Sequence, residues 1–351
     1  MSLPFAGADP EYQTRVVTVA DQSQIGEARR AVSALSMELG FDEHAAGRIA
    51  IVVTELATNI ARHGRGGQLF VRRVDSNTGL EIIAVDKGPG IGNVERAIRD
   101  GYSTAGTPGK GLGAVRRLSD TFDIYSQPGK GTVVLAIMRG LRISNVASAN
   151  PVLELGVICV PAPGERVCGD AWIVAAGKDG PSIVIVDGLG HGEPAHEAAI
   201  AGIEVCQRSA GASPGELISR MHQALRSTRG AAAAVAEWNG RAGMVRFAGA
   251  GNISCSISSA NGSRSLASMN GTVGFEMRRV QEFAQSVDAG SMLVMHSDGV
   301  NTRWRLDQYP GLRERHPALA AALLYRDFVR GRDDATVVVA RNAVPRESSP
   351  T

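Results

Sequence analysis

The chain has 351 residues, more than one small core accommodates, so two domains are expected. With 44% hydrophobic and 21% charged residues it has an ordinary globular balance, which excludes a fibrous or wholly disordered chain. The net charge of +2 comes without a long run of one sign, and aromatic residues are only 5%, which argues against a nucleic-acid partner. Cys159, Cys168, Cys206 and Cys255 lack CxxC spacing, so neither a zinc site nor a disulfide framework is indicated. No uncharged apolar run is long enough to cross a bilayer, and the first residues lack a basic stretch followed by an apolar one. The expectation is a cytoplasmic protein with no membrane partner.

In chain order, residues 14–20 read as a strand, 23–39 as a helix stopped by Gly40, and 45–63 as a second helix capped by Asp42 and closed by Gly64. Strands follow at 68–74 and 80–85, joined by turn residues 76–79. A loop-rich stretch, 86–111, leads to a short helix at 112–119 and a hairpin of 122–126 with 132–138. This order predicts helices on one side of a mixed sheet, an α/β sandwich over residues 12–143. The small polar stretch 144–151 is read as the boundary. Residues 152–343 then alternate differently: strands at 153–160, 170–177 and 182–187, helices at 194–209 and 214–228, strands at 231–238, 244–248, 253–258, 281–287 and 292–296, a helix at 318–328 and a last strand at 335–340. Helices set inside a strand-rich stretch predict two sheets flanked by helices, an αββα sandwich.

Two groups of residues carry chemistry. On the 45–63 helix, Ile49, Val53, Leu56 and Ile60 form the core face, while Glu55 and Asn59 stack one turn apart beside it, near Arg62 and His63. A buried carboxylate and amide need partners, and a hydrated Mg2+ is one; an exposed solvated stripe is the other reading of these residues alone. Asp86 ends an apolar strand directly before Gly88-Pro-Gly90, where a fixed carboxylate can accept from an exocyclic amine and glycine lets backbone approach a flat ring; a plain strand-to-turn junction has the same pattern. Gly109-Lys110-Gly111-Leu112-Gly113 opens a helix and combines freed amides with a cation, as an anion site requires. In the second half, Asp170, Asp187, Asp298 and Asp333 each stand at the end of an apolar strand. Carboxylates gathered there raise one another's pKa, and a pair of hard divalent cations, Mg2+ or Mn2+, would relieve the repulsion. One such Asp in a turn signals nothing by itself.

The three elements of the first group, in this order, resemble the GHKL ATPase superfamily, and within it the bacterial serine kinases that regulate anti-anti-sigma proteins. Glu55…Asn59 resembles the N box, 86–90 the G1 box, 109–113 the G2 box, and Gly131-Thr132 the last turn of the pocket. The stretch 111–120 is most similar to the stressosome-type switch kinases. The resemblance implies ATP with Mg2+ as cofactor, Asn59 as Mg2+ ligand, Asp86 as adenine reader, and Glu55 as general base on a target hydroxyl. His63, Gly88, Gly90, Gly109, Lys110, Gly111, Leu112, Gly113 and Thr132 would complete the pocket. The second group resembles the PPM serine/threonine phosphatases in their SpoIIE-like branch, which implies two Mn2+ or Mg2+ ions. Asp187 would bridge both ions and act catalytically, the Gly188 carbonyl would be a ligand, and Asp170, Asp298 and Asp333 would complete the set. Asp334 competes with Asp333 for its place. His191 is read either as a proton donor to the leaving group or as loop packing, and Arg166 is the arginine considered for the substrate phosphate. Ile173 departs from the family, which often has a second Asp there. Together the resemblances imply a regulator that phosphorylates and dephosphorylates a STAS-domain anti-anti-sigma or stressosome-like protein, with a sigma factor as a further partner and a homodimer as an expected state. The alternative is a nucleotide-binding switch that has no kinase activity and gates the phosphatase.

Overall fold

The computed structural model describes residues 6–7, 13–74, 79–99, 111–140, 153–277 and 279–342. They fall into two compact units: one of Met1–Pro10, Val146–Pro317 and Phe328–Thr351, the other of Glu11–Asn145 and Ala318–Asp327.

After the short strand β1 (Ala6–Gly7), the chain forms β2 (Arg15–Val19), α1 (Ile25–Glu38), α2 (Glu43–His63), β3 (Gly67–Val74), β4 (Gly79–Asp86), α3 (Val94–Ile98), α4 (Gly111–Leu118), β5 (Thr121–Ser126) and β6 (Thr132–Arg139). Strands β2 to β6 make one antiparallel sheet in the order β2-β3-β4-β6-β5. The start of α2 is fixed as its sequence predicts, with the Asp42 carboxylate accepting from the Ala45 amide at 2.7 Å. Its apolar stripe, Ile49, Val53, Leu56 and Ile60, packs with Leu69, Val71, Ile82, Ala84, Val134 and Ala136 of the sheet. The other sheet face is closed too: Phe70, Ile83 and Leu135 are buried. Strands covered on both faces read as apolar runs, which is why 82–85 shows no alternation; Glu81 just before it is buried as the partner of Arg72. Grouped in this unit is the later helix α7 (Pro317–Phe328). Tyr325 meets the Phe70 ring edge-on at a centroid distance of 5.2 Å, and Arg326 Nη1 donates to the Asp86 carbonyl at 2.9 Å.

The other unit holds β7 (Leu153–Val160), β8 (Asp170–Ala176), β9 (Pro181–Gly188), α5 (Glu193–Arg208), α6 (Pro214–Ala224), β10 (Ala231–Asn239), β11 (Met244–Ala250), β12 (Ser254–Ser259), β13 (Gly262–Leu266), β14 (Phe283–Ser286), β15 (Met292–His296) and β16 (Ala335–Asn342). A six-stranded sheet, β1-β8-β9-β10-β11-β14, and a five-stranded sheet, β13-β12-β15-β16-β7, share a core that includes Trp172, Ile185, Trp238, Phe247, Met295 and Val338. The opposite face of the six-stranded sheet packs Val184, Val186 and Val235 against Ile203 of α5 and Leu217 and Met221 of α6. The fold is mixed α/β, as expected from the order of elements.

Several local expectations change. The helix read over 214–228 ends at Ala224 and tightens into a 3-10 turn at Leu225–Ser227. The loop read over 86–111 contains α3, capped by Asn93, and an edge strand, β13, joins the second sheet. Most of the turn read at 76–79, together with Gly109 and Lys110, lies outside the described residues.

Candidate active sites

The first candidate site lies where α2 ends beside β4. Asp86 Oδ1 accepts from the Gly88 amide at 2.8 Å and from the Thr132 amide at 3.2 Å. These bonds fix the carboxylate at its strand end. Burial pushes the Asp86 carboxyl up, while the two amides and the charges of Arg326 and His63 pull it back. The glycines here are required by space: a Cβ on Gly88 would crowd the His63 carbonyl and Gly64, and one on Gly131, at φ 85°, would run into the Asp86 carbonyl. Gly90, at φ 70°, lies against Gln127 in the same way. Asn59 is one turn before His63, and its buried Nδ2 makes no hydrogen bond among the described residues. Its Oδ1 stands 3.9 Å from a Cβ placed on Gly111, so the N-terminus of α4, carrying Gly111, Leu112 and Gly113, abuts the amide. Glu55 is half-buried one turn earlier on α2. A buried Asn59 Nδ2 without a hydrogen bond among the described residues, an anchored carboxylate and a helix start beside them fit a nucleotide and its Mg2+.

The second candidate site is built at the ends of interior strands of the two sheets in the other unit. Asp170 and Asp187 are direct cross-strand partners on β8 and β9. Asp298 follows β15, and Asp333 and Asp334 precede β16, its neighbour. Burial pushes Asp187 well above the usual carboxylate range, and Asp170, Asp298, Asp333 and Asp334 add to the shift. Asp170 is pushed up to about 7, first by burial, against the hydrogen bond from Ser297. Burial also raises Asp298, with Asp333 adding and Arg330 opposing. Asp187 thus lies within the field of the other four carboxylates. Among the described residues no three His, Cys, Asp or Glu side chains close tightly enough around one point to hold an ion as they stand. Two are drawn aside by protein donors: Ser297 Oγ donates to Asp170 Oδ2 at 2.6 Å, and Asn252 Nδ2 donates to Asp298 Oδ2 at 2.7 Å. Asp170 Oδ1 remains buried without a hydrogen bond. An all-oxygen donor set with one orphaned oxygen fits hard divalent cations.

Asp334 is held elsewhere: its Oδ1 accepts from the Ala162 amide at 2.8 Å. Gly188 leaves no room for a side chain against the Ala195 carbonyl at the start of α5. His191 is exposed and paired with Glu165 Oε1 at 2.6 Å, and Arg166 is exposed. Ile173 is buried in the apolar cluster under α5 and α6. Three residues support the site, of which only Asn252 escaped the sequence reading. Ser297, Asn252 and the buried His296, whose Nε2 accepts from Trp304 and whose Nδ1 donates to the Ser297 carbonyl, shape the Asp298 loop. The Ser-Asp-Gly triplet at 297–299 contained the signal for the first, whereas nothing in the sequence marked Asn252.

The histidine kinase-like ATPase domain family matches residues 18–138, and the stage II sporulation protein E (SpoIIE) family matches residues 178–342. Serine/threonine-protein kinase RsbT of Bacillus subtilis (strain 168) is 38% identical over 123 residues, which span 34% of this chain and 92% of RsbT. The first half belongs to the histidine kinase-like ATPase domain family, and the second half matches the SpoIIE family. The SpoIIE half is similar to the phosphoserine phosphatase RsbX of the same organism, 24% identical over 139 residues that span 39% of this chain and 70% of RsbX. The ATPase half also matches an anti-sigma F factor of Thermoanaerobacter sp. (strain X514), 28% identical over 113 residues that span 30% of this chain and 79% of the relative. A solved chain described as part of the bacterial stressosome is 30% identical, with a TM-score of 0.50, and covers 54% of this chain and 99% of its own length. The chain thus joins a histidine kinase-like ATPase module to a SpoIIE-like module that is similar to a phosphoserine phosphatase. No helix among the described residues is long and apolar enough to cross a membrane.

Proposed function

We propose that the chain is a bifunctional partner-switching regulator: the ATPase half phosphorylates a serine or threonine on a STAS-type or stressosome-like protein, and the SpoIIE half removes a phosphate from the same or a related protein. The observation that carries this reading is the presence of two site frameworks on one chain. Asp86 is pinned by Gly88 and Thr132 beside the unpaired Asn59, and Asp170 faces Asp187 with Asp298 and Asp333 in their field.

In the ATPase half, Asp86 would read the adenine amine, Asn59 would hold Mg2+, and the amides at the start of α4 would face the phosphates. Glu55, one turn before Asn59, would take the proton from the target hydroxyl. In the SpoIIE half, Asp170, Asp187, Asp298, Asp333 and the Gly188 carbonyl would hold two divalent ions. Such a pair supplies Lewis acidity toward the phosphoryl group and acidifies water. Ser297 and Asn252 orient two of the carboxylates, and burial shields Asp170 from bulk water.

The test uses the full chain, a STAS-domain protein and labelled ATP. Label appears on the partner with the native chain and is lost with Glu55→Ala; label added beforehand is released with Mn2+ and retained with Asp187→Ala. Transfer that survives Glu55→Ala removes the kinase assignment. The similarity to an anti-sigma factor favours a second reading, in which the ATPase half holds a sigma factor in a nucleotide-dependent way. Retention of a sigma factor by the ATP-loaded chain, with no label on any STAS partner, would select it.

A further inference from the structure

The exposed side of the Asp187 loop carries apolar surface that the fold does not use. Leu189 is 45% exposed and Phe275 65%, and both border one residue, Gly230. The Leu189 amide donates to the Gly230 carbonyl at 3.0 Å. A Cβ on Gly230, at φ 79°, would stand 2.8 Å from Phe275 Cδ2 and 2.7 Å from the Val273 carbonyl, so the ring lies directly on glycine backbone. This backbone is held in place: Ala231 and Val273 exchange both amide bonds, the Phe275 amide donates to the Thr272 carbonyl, and the Gly274 amide donates to His222 Nδ1. The patch is therefore a fixed platform. Ala232 is the cross-strand partner of Asp187 and Ala231 that of Gly188, so Gly230 and Leu189 come next along the same ladder. Two residues of strand span about 7 Å, the reach from a phosphoserine to a neighbouring side chain of an extended peptide. Beside the patch, Arg229 Nη1 lies 3.2 Å from a Cβ placed on Gly190, over the 188–192 loop. Every ionisable group of the metal-ligand set is a carboxyl, and a guanidinium at its rim is complementary to an approaching phosphate.

We propose that Leu189, Phe275 and Arg229 form the substrate-docking face of the phosphatase site, and that its occupant is a phosphoserine segment with an apolar residue next to the phosphoserine. Arg229 meets the phosphoryl oxygens, and Leu189 and Phe275 meet the flanking side chain. Rigid exposed apolar surface next to a reactive centre is where interface affinity concentrates. This rests on the phosphatase reading above and adds its substrate preference.

The test measures phosphate release by the full chain with Mn2+ from three probes: p-nitrophenyl phosphate and two acetylated pentapeptide amides, Gly-Gly-phosphoserine-Gly-Gly and Gly-Leu-phosphoserine-Leu-Gly. The native chain prefers the leucine peptide by about five-fold or more in kcat/KM, mainly through KM, as one to two buried apolar contacts provide. Leu189→Ser and Phe275→Ser, both changes at exposed positions, bring that ratio close to one. Arg229→Gln lowers kcat/KM about ten-fold on all three probes, as loss of one charged hydrogen-bonding partner does, and Arg229→Lys recovers part of it. A native ratio near one, or a ratio that both serine variants leave intact, overturns the docking face. An Arg229→Gln chain that handles p-nitrophenyl phosphate normally removes Arg229 from it. Failure to release phosphate from any probe sinks the phosphatase reading itself, a result distinct from normal hydrolysis without preference.

Discussion

At the scale of single residues, the carboxylates of the second site are expensive to bury together, and the cost has a sign that can be measured. The Asp170 carboxyl is pushed up to about 7 from 3.8, so between those values the folded chain keeps a proton that the unfolded chain releases. Stability therefore falls as pH rises through that window in the absence of divalent ions. Scanning calorimetry in EDTA should show Tm dropping between about pH 4 and pH 7, with Asp170→Asn flattening the slope and Mn2+ restoring the loss. A Tm that climbs across this range in EDTA contradicts the assignment. Asn252 gives a second residue-scale prediction. Because it donates to Asp298 Oδ2, Asn252→Ala should raise the Mn2+ concentration for half-maximal activity by about ten-fold or more, with little change in the saturated rate. The four strand-end aspartates were legible as candidates because each stands beside an apolar strand. Asn252 was not, since an asparagine in a short polar connection has many roles and its importance comes from a pairing 46 residues away.

At the scale of elements, caps and apolar spacing explain most of what the sequence revealed. Asp42 and the Ile49–Ile60 stripe defined α2 in advance, and Ser213 starts α6 through a reciprocal pair of bonds with Glu216. α3 was missed because five residues are too few to show a period, and β13 because a strand with four of five positions exposed has no buried face to mark it. The glycine turn at 131 makes the sharpest element-scale prediction. Gly131→Ala places a methyl group on the Asp86 carbonyl at a positive φ, where an L side chain is already strained. Nucleotide affinity, read by titration with a fluorescent ATP analogue, should fall at least ten-fold, and the chain should lose about 1–3 kcal/mol of stability in urea. An alanine variant with native affinity would mean that the Asp86 turn does not shape the pocket.

At the scale of the molecule, both fold classes were legible because each half has its own order of helices and strands, and each half concentrates its polar exceptions at strand ends and helix starts. The place of α7 was not legible. Its sequence, with apolar residues from Ala318 to Leu324 buried on every side, announces a core helix without naming the core. The structure groups it with residues 11–145, where Tyr325 meets Phe70 and Arg326 bonds the carbonyl of Asp86. Removing the ring with Phe70→Ala should destabilise the chain by about 3–5 kcal/mol, seen as a lower urea midpoint.

The position of that helix in the gene has a practical corollary. Ala318–Asp327, grouped with the ATPase half, are translated long after the rest of it, between the codons for Asp298 and Asp333. A clone stopped near codon 145 would yield a fragment whose Phe70 and Asp86 lack Tyr325 and Arg326. Ribosome-bound intermediates of that length should likewise remain protease-sensitive until synthesis passes codon 327.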